Sequence, residues 1–237
     1  MDLDLSPFLA EYARMASEMD EVFAKVQAAC PDEVTCHLGC CDCCYALFDL
    51  TLVEAMALNQ AFKTELPAEV QKAVLEEAES IDRKTFQIKR SAFKERQKGV
   101  DTDTILKELG RERVRCPLLS EENQCVLYEH RPLTCRLYGL PLSVGGQVHT
   151  CSKSNFVNGQ KYPTVFMDKI QDRLLDLSQR TVDTMPTRHT KLAEVLVPVS
   201  MALLTDYDEE YLGIIEEVRP QTGHGIKEWE LGGEEES

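Results

Sequence analysis

Five of the ten cysteines in this 237-residue chain stand within nine positions, Cys36 to Cys44 in the run CHLGCCDCC. Thiols at that density either hold a soft or borderline metal or exchange disulfides. The compartment decides between the two, since extracellular cysteines pair and cytosolic ones bind metal or do chemistry. The opening MDLDLSPFLA is acidic and lacks the basic and apolar regions of a signal peptide. No run approaches the ~20 apolar residues of a membrane span. The most apolar stretch, 192–204, is interrupted by Glu194 and Pro198. These features predict a cytoplasmic protein outside the membrane, whose clustered cysteines bind metal.

Spacing sharpens the expectation. Cys40 and Cys43 form a Cys-x2-Cys pair, which lets one turn aim two sulfurs at one metal. Cys36 precedes Cys40 by four residues, so a single helical turn would bring it to the same side. Cys43 and Cys44 are adjacent and do not converge readily on one ion, so one of them faces a second centre or the core. The other group, Cys116, Cys125, Cys135 and Cys151, spans 36 residues. Pro132 suits the first turn of a short helix bearing Cys135. Arg131 and Arg136 flank that cysteine, and their charge would offset the net negative charge of a thiolate-ligated centre. One or the other is expected within hydrogen-bonding range of a cysteine sulfur or carbonyl. Cys30, just before Pro31, reads as a packed thiol, and His37 and His149 as solvent-facing neighbours of the site.

The order Cys-x3-Cys-x2-Cys-Cys, then CPLL…CVLYEHRPLTCRLYGLP, then a further cysteine, resembles the YkgJ-type cysteine-cluster family, credited with chelating zinc or iron. The resemblance covers about 34–152. It implies the metal ligands Cys36, Cys40, Cys43, Cys44, Cys116, Cys125, Cys135 and Cys151, with Cys41 extra to the pattern. Flagellin lysine methylases carry a similar cysteine region, so a cluster-dependent methyltransferase or oxidoreductase is the alternative to a binding protein. Between metals, zinc ribbons pair two close knuckles. Here only one knuckle is close, and the second group has gaps of 8, 9 and 15 residues. Iron–sulfur clusters tolerate wide spacing, so the expected cofactor is an iron–sulfur cluster, [4Fe-4S], ahead of zinc. Eight cysteines leave open one centre or two.

Charge narrows the partners. The formal charge of −15 argues against nucleic acid, whose phosphates require a cationic face. Residues 206–237 carry eleven acids against Arg219 and Lys227, and 219–237 read as an acidic, partly disordered tail. No Gly-x-Gly-x-x-Gly fingerprint, phosphate loop or nucleophile–base pair points to an enzyme. A metal or cluster is the expected partner, with a protein partner left open.

The cysteines must be positioned by helices, because helical periodicity dominates the chain. A helix over 6–29 places Phe8, Tyr12, Met15, Met19, Val22 and Val26 on one face, with Ser6 as N-cap and Pro7 next. Thr51 and Glu54 form a capping box that opens a helix to about 62, its positive end near the cysteines. A long helix runs from Pro67 to about 98, with Val70, Val74, Ile81, Ile88 and Ala92 on one face and a basic, solvated second half. Further helices are expected over 103–113, 164–185, 190–204 and 207–218, the third bent by Pro198. Gly145-Gly146 marks a tight hairpin. The fold class is mostly α: one irregular helical domain over 1–218, with an inserted cysteine-rich loop segment and one short β-hairpin.

Overall fold

The computed structural model describes residues 4–37 and 39–215. Helix α1 (Ser6–Ala29) buries Tyr12, Met15, Ala16, Met19 and Val26, the face expected from periodicity. Its cap differs from expectation. Leu5 is the N-cap, and the Ser6 amide is taken up instead by the Asp4 carboxylate at 3.0 Å. Cys30 closes the helix and is buried in the same core.

Strand β1 (Asp49–Thr51) leads directly into α2 (Leu52–Glu65), which is buried on nearly every side. Three hydrophobic clusters share it. Val53 belongs to the cluster under α1, Ala55, Leu58 and Phe62 to a second, and Leu52 and Met56 to a third. Full burial of each large side chain is worth roughly 1.5–3 kcal/mol, against about 1 kcal/mol for a cap, so packing rather than capping fixes this helix. The capping box is nevertheless present, with the Glu54 carboxylate accepting from the Thr51 amide at 3.5 Å.

Helix α3 (Ala68–Gln97) buries Val74, Ala78 and Thr85. The predicted apolar face is covered only in its first half. Beyond Thr85 no residue of the helix is buried, and Phe86 and Phe93 stand about 60 % exposed. Most of its basic residues lie in the second half and are exposed, except Lys89, which is half-buried and paired with Asp49. Helix α4 (Thr102–Leu109) packs back against α3, capped by the Asp101 carboxylate on the Thr104 amide, and ends short of the expected 113.

The cysteine-bearing segment is mostly loop, with a short helix α5 (Leu133–Leu137) following Pro132. Strands β2 (Leu142–Val144) and β3 (Gln147–His149) form the expected hairpin. Gly145 and Gly146 have φ of +56° and +76°, the pair of positive values that a tight two-residue turn demands. An unforeseen strand β4 (Val165–Phe166) joins β2 in parallel and precedes α6 (Met167–Asp183). Ile170, Leu174, Leu177 and Thr181 of α6 are buried as predicted, whereas Phe166 lies in the strand and is exposed.

The end of the described chain departs most from expectation. In place of one helix over 190–204, strand β5 (Leu196–Pro198) pairs antiparallel with β1, Leu50 opposite Val197, and α7 (Val199–Leu204) follows. Val195, Val197 and Val199 alternate through this stretch, and β-branched residues favour extended backbone. Pro198, lacking an amide, suits a strand end and the cap of α7 better than a helix interior. The helix expected over 207–218 is a run of turns through Ile215. Asn59 of α2 donates to the Ala202 and Thr205 carbonyls, satisfying the exit from α7. Residues 216–237, including the expected acidic tail, lie outside the described residues. Among the described residues no helix is long and apolar enough to cross a membrane.

Candidate metal centre

The loop bearing the first five cysteines is a chain of tight turns. The Cys40 amide donates to the His37 carbonyl, Cys44 to Cys41 and Ala46 to Cys43, each at 3.0–3.2 Å. Gly39 takes φ +88°, open to glycine at no steric cost. Through Asp42–Tyr45 the backbone is a single 3-10 turn, so adjacent side chains diverge around the axis. The loop is then laced to the second group by Cys116 N–H on the Cys44 carbonyl at 2.7 Å and Val114 N–H on the Tyr45 carbonyl at 3.0 Å.

The second group is assembled by three devices. A reversal at Asn123, the one non-glycine residue with positive φ among those described, returns Cys125 past Leu119, with Val126 N–H on the Leu118 carbonyl. Helix α5 presents Cys135. Cys151 follows the hairpin and is anchored beyond it, where Thr35 donates to the Lys153 carbonyl and Asn155 to the Glu33 carbonyl, beside Cys36. Sequence separations of up to 115 residues are thereby closed onto one cavity of about 350 Å³. Cys36, Cys40, Cys43, Cys44, Cys116, Cys125, Cys135 and Cys151 all line it. Cys30 and Cys41 do not. The Cys41 thiol instead faces the Asn123 side-chain oxygen at 3.8 Å.

Burial makes these thiols hard to ionise. Cys36 is pushed up to about 11 by burial, and then by Cys40 and Cys151 nearby. Cys116 rises to about 12 through burial with Cys125 and Cys43 adjoining, and burial lifts Cys135 well above the ordinary range. Cys125 and Cys151 are raised by burial as well. Cys43 runs the other way. The Cys44 thiol hydrogen-bonds to it and lowers it, while Cys44, as the donor, is raised. A crowd of buried thiols becomes a set of thiolates when a metal cation supplies the missing charge.

Arg131 and Arg136 line the cavity, but among the described residues neither donates to a cysteine. Both guanidiniums converge on Asp20 of α1. Arg136, buried, also holds the Glu129 and Arg131 carbonyls, and Arg131 holds the Tyr128 carbonyl at 2.8 Å and stacks on its ring. The reason is geometric: the carbonyls before α5 lie closer to these forks than the sulfurs do, and Asp20 neutralises part of the charge. Arg131 still depresses Cys43 and Cys125 through its field.

The positive end of α2 is engaged elsewhere too. The Glu54 carboxylate takes the Thr51 and Leu133 amides and the Tyr12 hydroxyl, tying α2 to the start of α5. Burial raises Glu54 to about 7, and its charge raises Cys135 further. The opposite wall of the cavity is formed by 114–139 and not by the hairpin, which lines a separate groove of about 640 Å³ with α4. That groove meets the cavity at Tyr138 and Cys151 and takes His149, whereas His37 lines the cavity itself. The cavity touches α3 only at Ile81 and Thr85, so none of the cations of that helix reaches it.

Two site residues escaped the sequence reading. Asp42, buried within the motif, is held by Arg113 at 2.7 Å and lies 3.5 Å from the Cys151 sulfur. Its signal was its place inside Cys-Cys-Asp-Cys-Cys. Gly139 gives way to the Cys36 sulfur, with which a Cβ at 139 would collide. No local pattern marked it, because the contact spans over a hundred residues.

As placed, no three His, Cys, Asp or Glu side chains among the described residues converge on a point fit for one ion. The donor set as a whole, eight thiols around one hollow, fits a thiophilic metal held by many sulfurs. No curated protein and no solved structure matches the chain. The family described as "CxxCxxCC: Putative zinc- or iron-chelating domain" matches residues 35–155, just over half of the chain and all eight of the cavity cysteines. The chain therefore belongs to this cysteine-cluster family, and metal binding is its supported activity.

Proposed function

We propose that the protein is an iron–sulfur protein whose cluster, of the [4Fe-4S] type, is held in the cavity by cysteines from both groups. The observation that carries the reading is the sorting of the thiols: the eight cysteines at pattern positions line one cavity, and Cys30 and Cys41 do not. A lone zinc ion needs four donors drawn tightly around it. Eight thiols spread around about 350 Å³, with no three converging on one point, suit a polynuclear core that holds its ligands apart. When bound, the cluster supplies one-electron redox chemistry or a rigid cross-link between the two cysteine groups. The chain supplies the thiolates, a largely buried setting and the nearby charge of Arg131 and Arg136.

Protein purified without oxygen tests this. It should be brown, contain iron and acid-labile sulfide in near-equal amounts, and lose its broad visible absorption in air. Cys135→Ser should lose cluster iron and sulfide, and Cys30→Ala and Cys41→Ser should keep the full content. A colourless protein with stoichiometric zinc, expressed with ample iron, would refute the cluster.

A further inference from the structure

The eight thiols are not evenly mixed around the cavity. Cys36 has Cys40, Cys151, Cys43 and Asp42 as its titratable neighbours, and Cys151 has Asp42 and Cys40. Cys116, Cys125 and Cys135 instead neighbour one another and Cys43, and Cys44 joins them. The surroundings divide along the same line. Cys36 packs against the cluster under α1, whereas Cys116 and Cys125 pack against the one formed by Leu58, Phe62, Leu118 and Leu127. The cavity thus has an outer end with three thiols and an inner end with five.

Asp42 stands beside these three thiols at the outer end. Few carboxylates are buried without a task, and this one is 8 % exposed. One oxygen is fixed by Arg113 at 2.7 Å, which also binds the Asp42 carbonyl at 3.0 Å. The other oxygen faces the Tyr138 hydroxyl at 3.3 Å and the Cys151 sulfur at 3.5 Å. A basic group holding one carboxylate oxygen while the other faces the site is the arrangement by which outer partners orient a metal ligand. Lys153, 4.0 Å away, adds positive charge on the same side.

We propose that the cavity holds two metal centres, and that Asp42 with Cys36, Cys40 and Cys151 forms the outer one, a three-thiolate, one-carboxylate site for a second iron–sulfur cluster, whose size holds its ligands apart. The proposal rests on the metal-centre reading above and adds to it a second centre and a ligand that is not cysteine. The inner group keeps four thiolate ligands from its five cysteines, the fifth donating a hydrogen bond, as Cys44 does to Cys43. Four ligands at each end match what one [4Fe-4S] cluster takes. The outer centre also lies where the groove along the hairpin and α4 meets the cavity, at Cys151 and Tyr138.

The test compares the full chain, purified without oxygen, with its Cys151→Ser, Asp42→Asn and Cys116→Ser variants. Iron, zinc and sulfide are counted per chain, and X-ray absorption at the edge of the metal found identifies its neighbours. Cys151→Ser and Asp42→Asn should each lose one centre's complement and keep the other, with the wild type and Cys116→Ser, but neither of these two, showing a light-atom neighbour beside sulfur. Iron and sulfide should both fall by about half. Loss of zinc alone would overturn the outer cluster. Cys116→Ser should lose the inner complement. Loss of all metal in Cys151→Ser, with secondary structure intact, would show a single centre and overturn the proposal. So would an Asp42→Asn protein with its full complement. Should Asp42→Asn fail to fold, Cys151→Ser alone decides the number of centres, and the light-atom neighbour in the wild type decides the carboxylate. A wild type without metal would instead remove the reading beneath.

Discussion

Glu54 gives a sharp quantitative test of how the helices around the centre are joined. Its carboxyl is buried and accepts from the Thr51 and Leu133 amides, yet burial dominates and raises it from 4.5 to about 7. Between those values the folded protein holds a proton that the unfolded chain has released. Stability from this group is therefore full below 4.5 and is lost as pH rises through about 7. A shift of about 2.5 units corresponds to about 3 kcal/mol. Glu54→Gln keeps the shape and removes the titration, at a cost of about 1 kcal/mol for one weakened amide partner. Urea unfolding of both proteins, metal-loaded alike, at steps from pH 5 to 8 reads the difference. Taking the difference cancels the opposing dependence that thiolate ligation adds, since ligand sets in the two proteins are the same. The variant should be slightly less stable than the wild type at pH 5 and overtake it by pH 8, a swing of about 2.5 kcal/mol across that window. A difference that is flat with pH, or that moves against the variant as pH rises, would refute a carboxyl raised by burial.

Two further outcomes test the packing of the site. Gly139→Ala should drive the Cys36 sulfur off its position, because a Cβ at 139 occupies the same space. Metal content should fall as it does in Cys36→Ser, measured by elemental analysis, while far-UV circular dichroism stays close to wild type. Asp20→Asn should destabilise by about 2 kcal/mol in urea unfolding, since it leaves the buried Arg136 without its charged partner. The value lies below that of a fully buried pair because Asp20 is 44 % exposed.

What the sequence determined by itself was local or periodic. The 3.6-residue spacing of Tyr12, Met15, Met19 and Val26 specifies α1 without help from the rest of the chain. Gly145-Gly146 specifies a turn whose φ values only glycine adopts freely. The cysteine spacing carried the metal-binding expectation, because side chains that must reach one centre leave a mark in the chain. The tertiary structure decided what depends on distant neighbours. Residues 196–198 became a strand because β1 supplies a ladder and Pro198 cannot serve a helix interior. Arg131 and Arg136 turned to Asp20, a residue of α1 over a hundred positions away, because nearby carbonyls and a carboxylate outcompete more distant sulfurs. Asp42 and Gly139 acquired meaning only when folding set Asp42 beside Cys151 and left the space at Gly139 for the Cys36 sulfur. A one-dimensional pattern records which groups can ligate; the contacts that orient them close loops of a hundred residues, and no local spacing encodes those.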